Sequence, residues 1–191
     1  MLRNKDILDE KNKLLRQTSK EVTFPMEQDD LVAIDKMIEY LKNSQIEEIA
    51  EKYNLRAGMG MAAVQIGILK RFFTVVYEKD EGKFDVYVVI NPKITSTSTE
   101  KIYVEDGEGC LSINRPTEGI VPRFARITVE GYDTKGNKIK LRLREDLAIA
   151  FQHEIDHLNG ILFIDHIDKN NPFKDANKYL SLIHISEPTR P

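Results

Sequence analysis

The chain is poor in cysteine, in long apolar runs and in excess charge of either sign. Its only cysteine is Cys110, so no intrachain disulfide can form, and a reducing, cytoplasmic location is the expectation. No run approaches the roughly 18 apolar residues of a transmembrane helix. The N-terminus, Met1-Leu2-Arg3-Asn4-Lys5-Asp6, lacks the apolar stretch of a secretory signal. A net charge of −3 and a pI near 5.9 argue against a general nucleic-acid binder, although local basic patches remain compatible with them. Neither DNA nor a membrane is an expected partner. No internal repeat is present, the length of 191 residues suits one domain or at most two small ones, and 41% hydrophobic residues suffice for a proper core.

Histidine is also scarce, with four in the chain, yet two of them stand in His153-Glu154-Ile155-Asp156-His157. Residues four apart share one face of a helix, so both imidazoles can meet one metal ion. Glu154 sits about 100° further round. That is too far to join the ligands naturally, yet near enough to reach a water beside them. Two histidines and an adjacent carboxylate base suit metal-assisted hydrolysis. The flanks support a helix. Glu145 and Asp146 open it, Leu147, Ile149, Ala150 and Phe151 give it apolar surface, and Gly160 stands where a C-cap belongs.

The remaining pattern predicts α+β. Leu31, Ile34, Ile38 and Leu41 predict a helix over about 29–53, with a possible break at Asn43-Ser44. Residues 71–77 and 84–90 flank the turn Lys79-Asp80-Glu81-Gly82 and predict a hairpin. Thr95–Thr99 predicts an exposed or edge strand. Residues 126–132 and 138–144 predict a second hairpin around Asp133-Thr134-Lys135-Gly136-Asn137. Antiparallel strand pairs between helices define the class.

A catalytic metal needs a third protein ligand and an open position. Cys110 is one candidate, in the glycine-rich Gly107-Glu108-Gly109-Cys110-Leu111-Ser112, although a lone cysteine is more often a small buried hydrophobe. A zinc endopeptidase would instead take a downstream ligand, and Asp165, His166 and Asp168 are available. A closed structural Cys/His site is a further alternative, but it would leave Glu154 and Gln65 without a task. Gln65 ends the segment Gly58-Met59-Gly60-Met61-Ala62-Ala63-Val64-Gln65, whose small residues and amide suit a substrate groove with an electrophilic donor.

Together these segments resemble peptide deformylase, which carries Gly-x-Gly-apolar-Ala-Ala-x-Gln, Glu-Gly-Cys-Leu-Ser and Gln-His-Glu-x-Asp-His in this order. Here they stand as Gly58–Gln65, Glu108–Ser112 and Gln152–His157. The resemblance covers roughly residues 3 to 175. The spacing resembles the longer type of Gram-positive bacteria, with Val64 where many members have Pro. It implies antiparallel sheets around a central metal-binding helix, with an N-terminal helix. It also implies a ferrous enzyme that removes the formyl group from formyl-methionine of nascent polypeptides, near the ribosome, with Zn²⁺, Ni²⁺ or Co²⁺ able to substitute. Cys110, His153 and His157 would hold the ion, with water in the open position. Glu154 would take the water's proton and return it to the leaving amine. The Gln65 amide and the Leu111 backbone N–H would stabilise the formyl oxyanion. Gly60 and Gly109 would bind the substrate backbone, and Met59 and Ile149 would line the methionine pocket. From the residues alone, zinc would be the metal named.

The chain from Leu180 to Arg190 resembles a translated transposon-type sequencing adapter. Residues 1–179 are therefore expected to form the single catalytic domain. Residues 180–191, His184 included, are expected to add nothing to fold or function.

Overall fold

The computed structural model describes residues 1–80 and 82–182. Three helices and eight strands organise them: α1 (Gln28–Gln45), α2 (Glu47–Tyr53), β1 (Gly60–Ala62), β2 (Phe72–Asp80), β3 (Lys83–Thr97), β4 (Lys101–Val104), β5 (Arg123–Phe124), β6 (Arg126–Tyr132), β7 (Lys138–Arg144), α3 (Glu145–Leu158) and β8 (Leu180–Leu182). One sheet runs β1-β2-β3-β6-β7, all antiparallel. A smaller one runs β5-β4-β8. The class is α+β, as the strand pattern predicts.

The five-stranded sheet lies between two helices. Phe72 and Val76 of β2 pack with Ile34, Met37, Tyr40 and Leu41 of α1. The alternate residues Phe73 and Val75 pack with Phe151, Ile155 and Leu158 of α3. Burial on both faces explains why β2 reads as one continuous apolar run. Phe151 anchors α3 edge-on against Phe73 and Tyr87, with centroids 5.1 and 5.6 Å away. Such aromatic pairs favour this geometry.

Two expectations shift. The break between α1 and α2 falls at Ile46, which has extended backbone, rather than at Asn43-Ser44. Ser44 stays helical, with its hydroxyl donating back to the Leu41 carbonyl at 2.9 Å and accepting from the Gly58 N–H at 3.2 Å. Thr95–Thr97 are not a separate strand. They continue β3 past Asn91 (φ 50°) and two register shifts, and pair with β6. Thr95, Ser96 and Thr97 are all exposed, so both faces of β3 are open to solvent at this end.

The C-terminal segment also departs from expectation. Leu180–Leu182 form a parallel strand on β4, and Leu182 packs beside Ile102, Val104, Ala125 and Ile149. The free edge of β4 offers backbone groups that any extended segment can satisfy, whatever its sequence origin. The rest of the adapter-like stretch, residues 183–191 with His184, lies outside the described residues.

The end of α3 is closed by a Schellman cap. Gly160 (φ 73°) donates to the His157 carbonyl at 3.2 Å, and Ile161 donates to Asp156 at 2.9 Å. The N-terminal segment crosses this point, and a Cβ at Gly160 would lie 2.6 Å from the Arg16 carbonyl oxygen. Gly160→Ala is expected to destabilise the protein by about 1–3 kcal/mol through forced positive φ and steric overlap. The urea midpoint at unchanged slope measures it; an unchanged midpoint contradicts this account of the cap.

Candidate metal centre

His153 and His157 lie one turn apart on α3, with ring centroids 5.0 Å apart. The loop after β4 brings Cys110 to them, its Sγ 3.3 Å from His157 Nε2. One donor atom from each of the three residues lies within 4.8 Å of the others. A thiol and two imidazoles at this spacing fit a single borderline-soft divalent cation. Downstream, Asp165 is engaged by Arg16 at 2.5 Å and by the Leu162 N–H. Asp168 is tied to Lys174, Asn170 and Asn171, and His166 bonds to Asp156. None of the three joins the donor group, which removes the ligand set of the endopeptidase reading.

Each donor is oriented from behind. His153 Nδ1 bonds Glu108 Oε2 at 2.9 Å, leaving Nε2 to face the centre. Arg123 donates to both Glu108 oxygens, at 2.7 and 2.9 Å, and to Asp156 Oδ2 at 2.5 Å. Burial works to raise the Glu108 carboxyl, but Arg123 and His153 outweigh it and hold it at about 2. Burial works against a charged His153 as well, but the Cys110 sulfur and Glu108 pull its pKa well above the ordinary value. Surroundings this negative also favour a metal cation. Burial, then His153, pushes His157 well below its usual value, toward the neutral form that ligates. At the sulfur, Gln65 Nε2 donates at 3.7 Å and the Ser112 N–H at 3.4 Å. Gln65 is itself fixed, its Oε1 accepting from Ala62 N at 2.9 Å and its Nε2 donating to Ser112 Oγ at 3.1 Å.

Glu154 is only 3% exposed, and its Oε2 has no hydrogen-bond partner. Burial raises its pKa to about 7. Its other oxygen packs against Gly60, where a Cβ would approach to 2.4 Å. Only glycine at 60 lets β1 lie this close to the carboxylate.

These groups open into a cleft of about 430 Å³. Met59, Gly60 and Gln65 line one wall, Gly109, Cys110 and Leu111 the other, with Ile149, His153 and Glu154 between them. The cleft thus gathers every site residue that the family resemblance implies except His157, which lies deeper. β1 ends the sheet order, so beyond its pairing with β2 its outer edge has no strand partner among the described residues. Sequence reasoning missed the roles of Glu108, Arg123, Asp156 and Ser112. Glu108, Asp156 and Ser112 stood inside the quoted motifs. Arg123 had no local signal.

The polypeptide deformylase family model matches residues 4–173. A peptide deformylase 2 of Bacillus cereus is 47% identical over 173 residues, 91% of this chain and 94% of the relative. A peptide deformylase 2 of Bacillus subtilis is 47% identical over 182 residues, 95% and 99% of the two chains. The peptide deformylase structure of Thermotoga maritima superposes with a TM-score of 0.66 at 34% identity, covering 85% of this chain and 96% of that one.

Arg123 is buried between Glu108 and Asp156 and gives them their guanidinium partner, beside the imidazoles of His153 and His166. Arg123→Leu would leave Glu108 and Asp156 without their cation, so a loss of about 3–5 kcal/mol is expected. Denaturant unfolding measures it. A loss below about 1 kcal/mol would mean that the clamp is not structural.

Proposed function

We propose, for a chain that belongs to the polypeptide deformylase family, that Cys110, His153 and His157 hold one divalent metal ion while Glu154 moves the proton. The protein is a metal-dependent hydrolase that removes the N-formyl group from the formyl-methionine of nascent polypeptides, releasing formate. The observation that carries the residue assignment is the convergence of three soft and borderline donors beside a buried carboxyl with no partner of its own. When bound, the ion supplies Lewis-acid activation of water and of a carbonyl oxygen.

The chain's own groups do the rest. Glu154, with its pKa near 7, is suited to take a proton from the attacking water at neutral pH. It returns that proton to the amine nitrogen as the C–N bond of the formamide breaks, so water and formamide become formate and a free N-terminus. Gln65 Nε2 and the Leu111 N–H are the donors for the negative charge that develops on the formyl oxygen. An extended peptide adds to the free edge of β1, where Gly60 and, across the cleft, Gly109 meet its backbone. Met59 and Ile149 line the pocket for the methionine side chain.

Iron is the metal we assign, with Zn²⁺, Ni²⁺ or Co²⁺ as competent substitutes for this donor set. The site of action is the cytoplasm, in transient contact with the ribosome, where formylated chains emerge. Among the described residues no helix is long and apolar enough to cross a membrane. Residues 1–179 form the catalytic unit.

Glu154→Gln is expected to keep its metal and to release formate about 10²–10⁴-fold more slowly. Cys110→Ala is expected to lose the metal, as measured by metal analysis after dialysis. Near-normal formate release from metal-replete Glu154→Gln, or full metal retention by Cys110→Ala, would overturn these assignments. Iron-loaded protein is expected to lose activity in air faster than nickel-loaded protein, because the Cys110 thiolate beside a redox-active ion is open to oxidation. Equal lifetimes in parallel aeration assays would count against iron as the source of that sensitivity.

A further inference from the structure

Strand β7 reads Lys-Ile-Lys-Leu-Arg-Leu-Arg, and Lys138, Lys140, Arg142 and Arg144 are all exposed. Alternate residues share one face of a strand, about 6.8 Å apart. The strand therefore presents four cations in a straight row. The ladder extends this face inward, because Arg126 pairs with Arg144, Thr128 with Arg142, Glu130 with Lys140 and Tyr132 with Lys138. On the next strand, Lys93 stands opposite Glu130 and Ser96 opposite Thr128. Six cations thus share one sheet face with one carboxylate on the ladder, Glu130, and two at its rim, Glu100 and Glu21. Glu130 is paired to Lys140 at 3.1 Å and Glu100 to Arg126 at 3.0 Å. Lys93, Lys138, Arg142 and Arg144 make no ion pair among the described residues. In a chain of net charge −3 this is a strong local reversal.

We infer that the outward face of β3, β6 and β7 binds the phosphodiester backbone of RNA. The repeat of the cation row is on the order of the spacing between successive phosphates along a nucleic-acid strand. Surface hollows of about 410 and 1100 Å³ lie at the two ends of the row, the first at Arg142 and Arg144, the second at Lys138 and Lys140. Ser96, Thr128 and Tyr132 supply polar groups between the charges. An acidic membrane fits less well, since insertion needs apolar anchors and the outward positions of β6 and β7 are polar or charged. Edge-strand charge also deters unwanted strand pairing, but carboxylates would serve that end equally and would give no affinity for RNA. None of the six cations lines the catalytic cleft, so a strand of RNA on this face leaves the cleft open. RNA on this face deepens the ribosome contact proposed above and rests on it for its biological setting.

Fluorescence anisotropy of a labelled 20-nucleotide oligouridylate, titrated with the full chain at several salt concentrations, tests this. Micromolar binding at low salt is expected, with log K falling against log salt by about 0.7 per phosphate engaged. The double variant Lys138→Gln/Arg142→Gln should bind at least tenfold more weakly at low salt, with a slope shallower by about 1.4. Lys93→Gln should weaken binding to a lesser degree, and formate release should be unchanged in both. Lys11→Gln/Lys13→Gln, which removes the same charge from a distant exposed segment, should bind like the parent. No binding, equal weakening by the distant pair, or tighter association with phosphatidylserine vesicles than with RNA would each overturn the inference. Formate release reads the catalytic centre and anisotropy reads the β7 face, so one can fail while the other stands.

Discussion

The buried guanidinium of Arg123 is the constraint on which the site depends. It is 4% exposed, and two carboxylates from different elements meet it: Glu108 from the loop after β4 and Asp156 from α3. Burying three charges costs several kcal/mol per ion, an outlay that only tight, fully satisfied geometry offsets. Here every Arg123 bond is short, and the spare oxygen capacity is used by His153 and His166. The network therefore joins the cysteine loop to the histidine helix. Cys110 is two residues from Glu108, and His157 is next to Asp156, so fixing the two carboxylates fixes the two ligand segments relative to one another.

A second constraint acts from the opposite side of the cleft. Gly60 places β1 against Glu154 with no room for a side chain. The same contact shields the carboxylate from water, which raises its pKa to about 7. It also leaves the open edge of β1 beside the reacting groups. The base and the peptide-docking edge of the proposed function thus trace to one close approach. The hydrogen-bonding edge of a sheet is normally a liability, and under the proposed function it receives the substrate backbone.

The five-stranded sheet separates two roles. Its α3-facing side carries the donor group and Glu154. Its outward side at β6 and β7 carries an alternation of charge with the two-residue period of a strand. The first side is covered by α3, whereas the cations of β7 are exposed to solvent.

Local pattern by itself determined much of this protein. The β6–β7 hairpin was legible to the residue, because alternation and the Asp-Thr-Lys-Gly-Asn turn are both short-range signals. The His153–His157 pair was legible because helical geometry relates residues four apart without help from the rest of the chain. Three motifs in order also identified the family, Glu154 and Gln65 among them. Tertiary structure alone decided the rest. The residues alone allowed Asp165, His166 or Asp168 as third ligand, and only the fold shows these engaged elsewhere and Cys110 beside the imidazoles. Arg123 carried no signal, since a lone arginine in a two-residue strand looks like any surface cation until two distant carboxylates close on it. Thr95–Thr97 merged into β3 because pairing with β6 carries the strand past its bulges. Leu180–Leu182 joined β4 because an unpaired edge accepts backbone groups whatever their origin. In each case the deciding partner lies far away in sequence, where periodicity and spacing cannot reach.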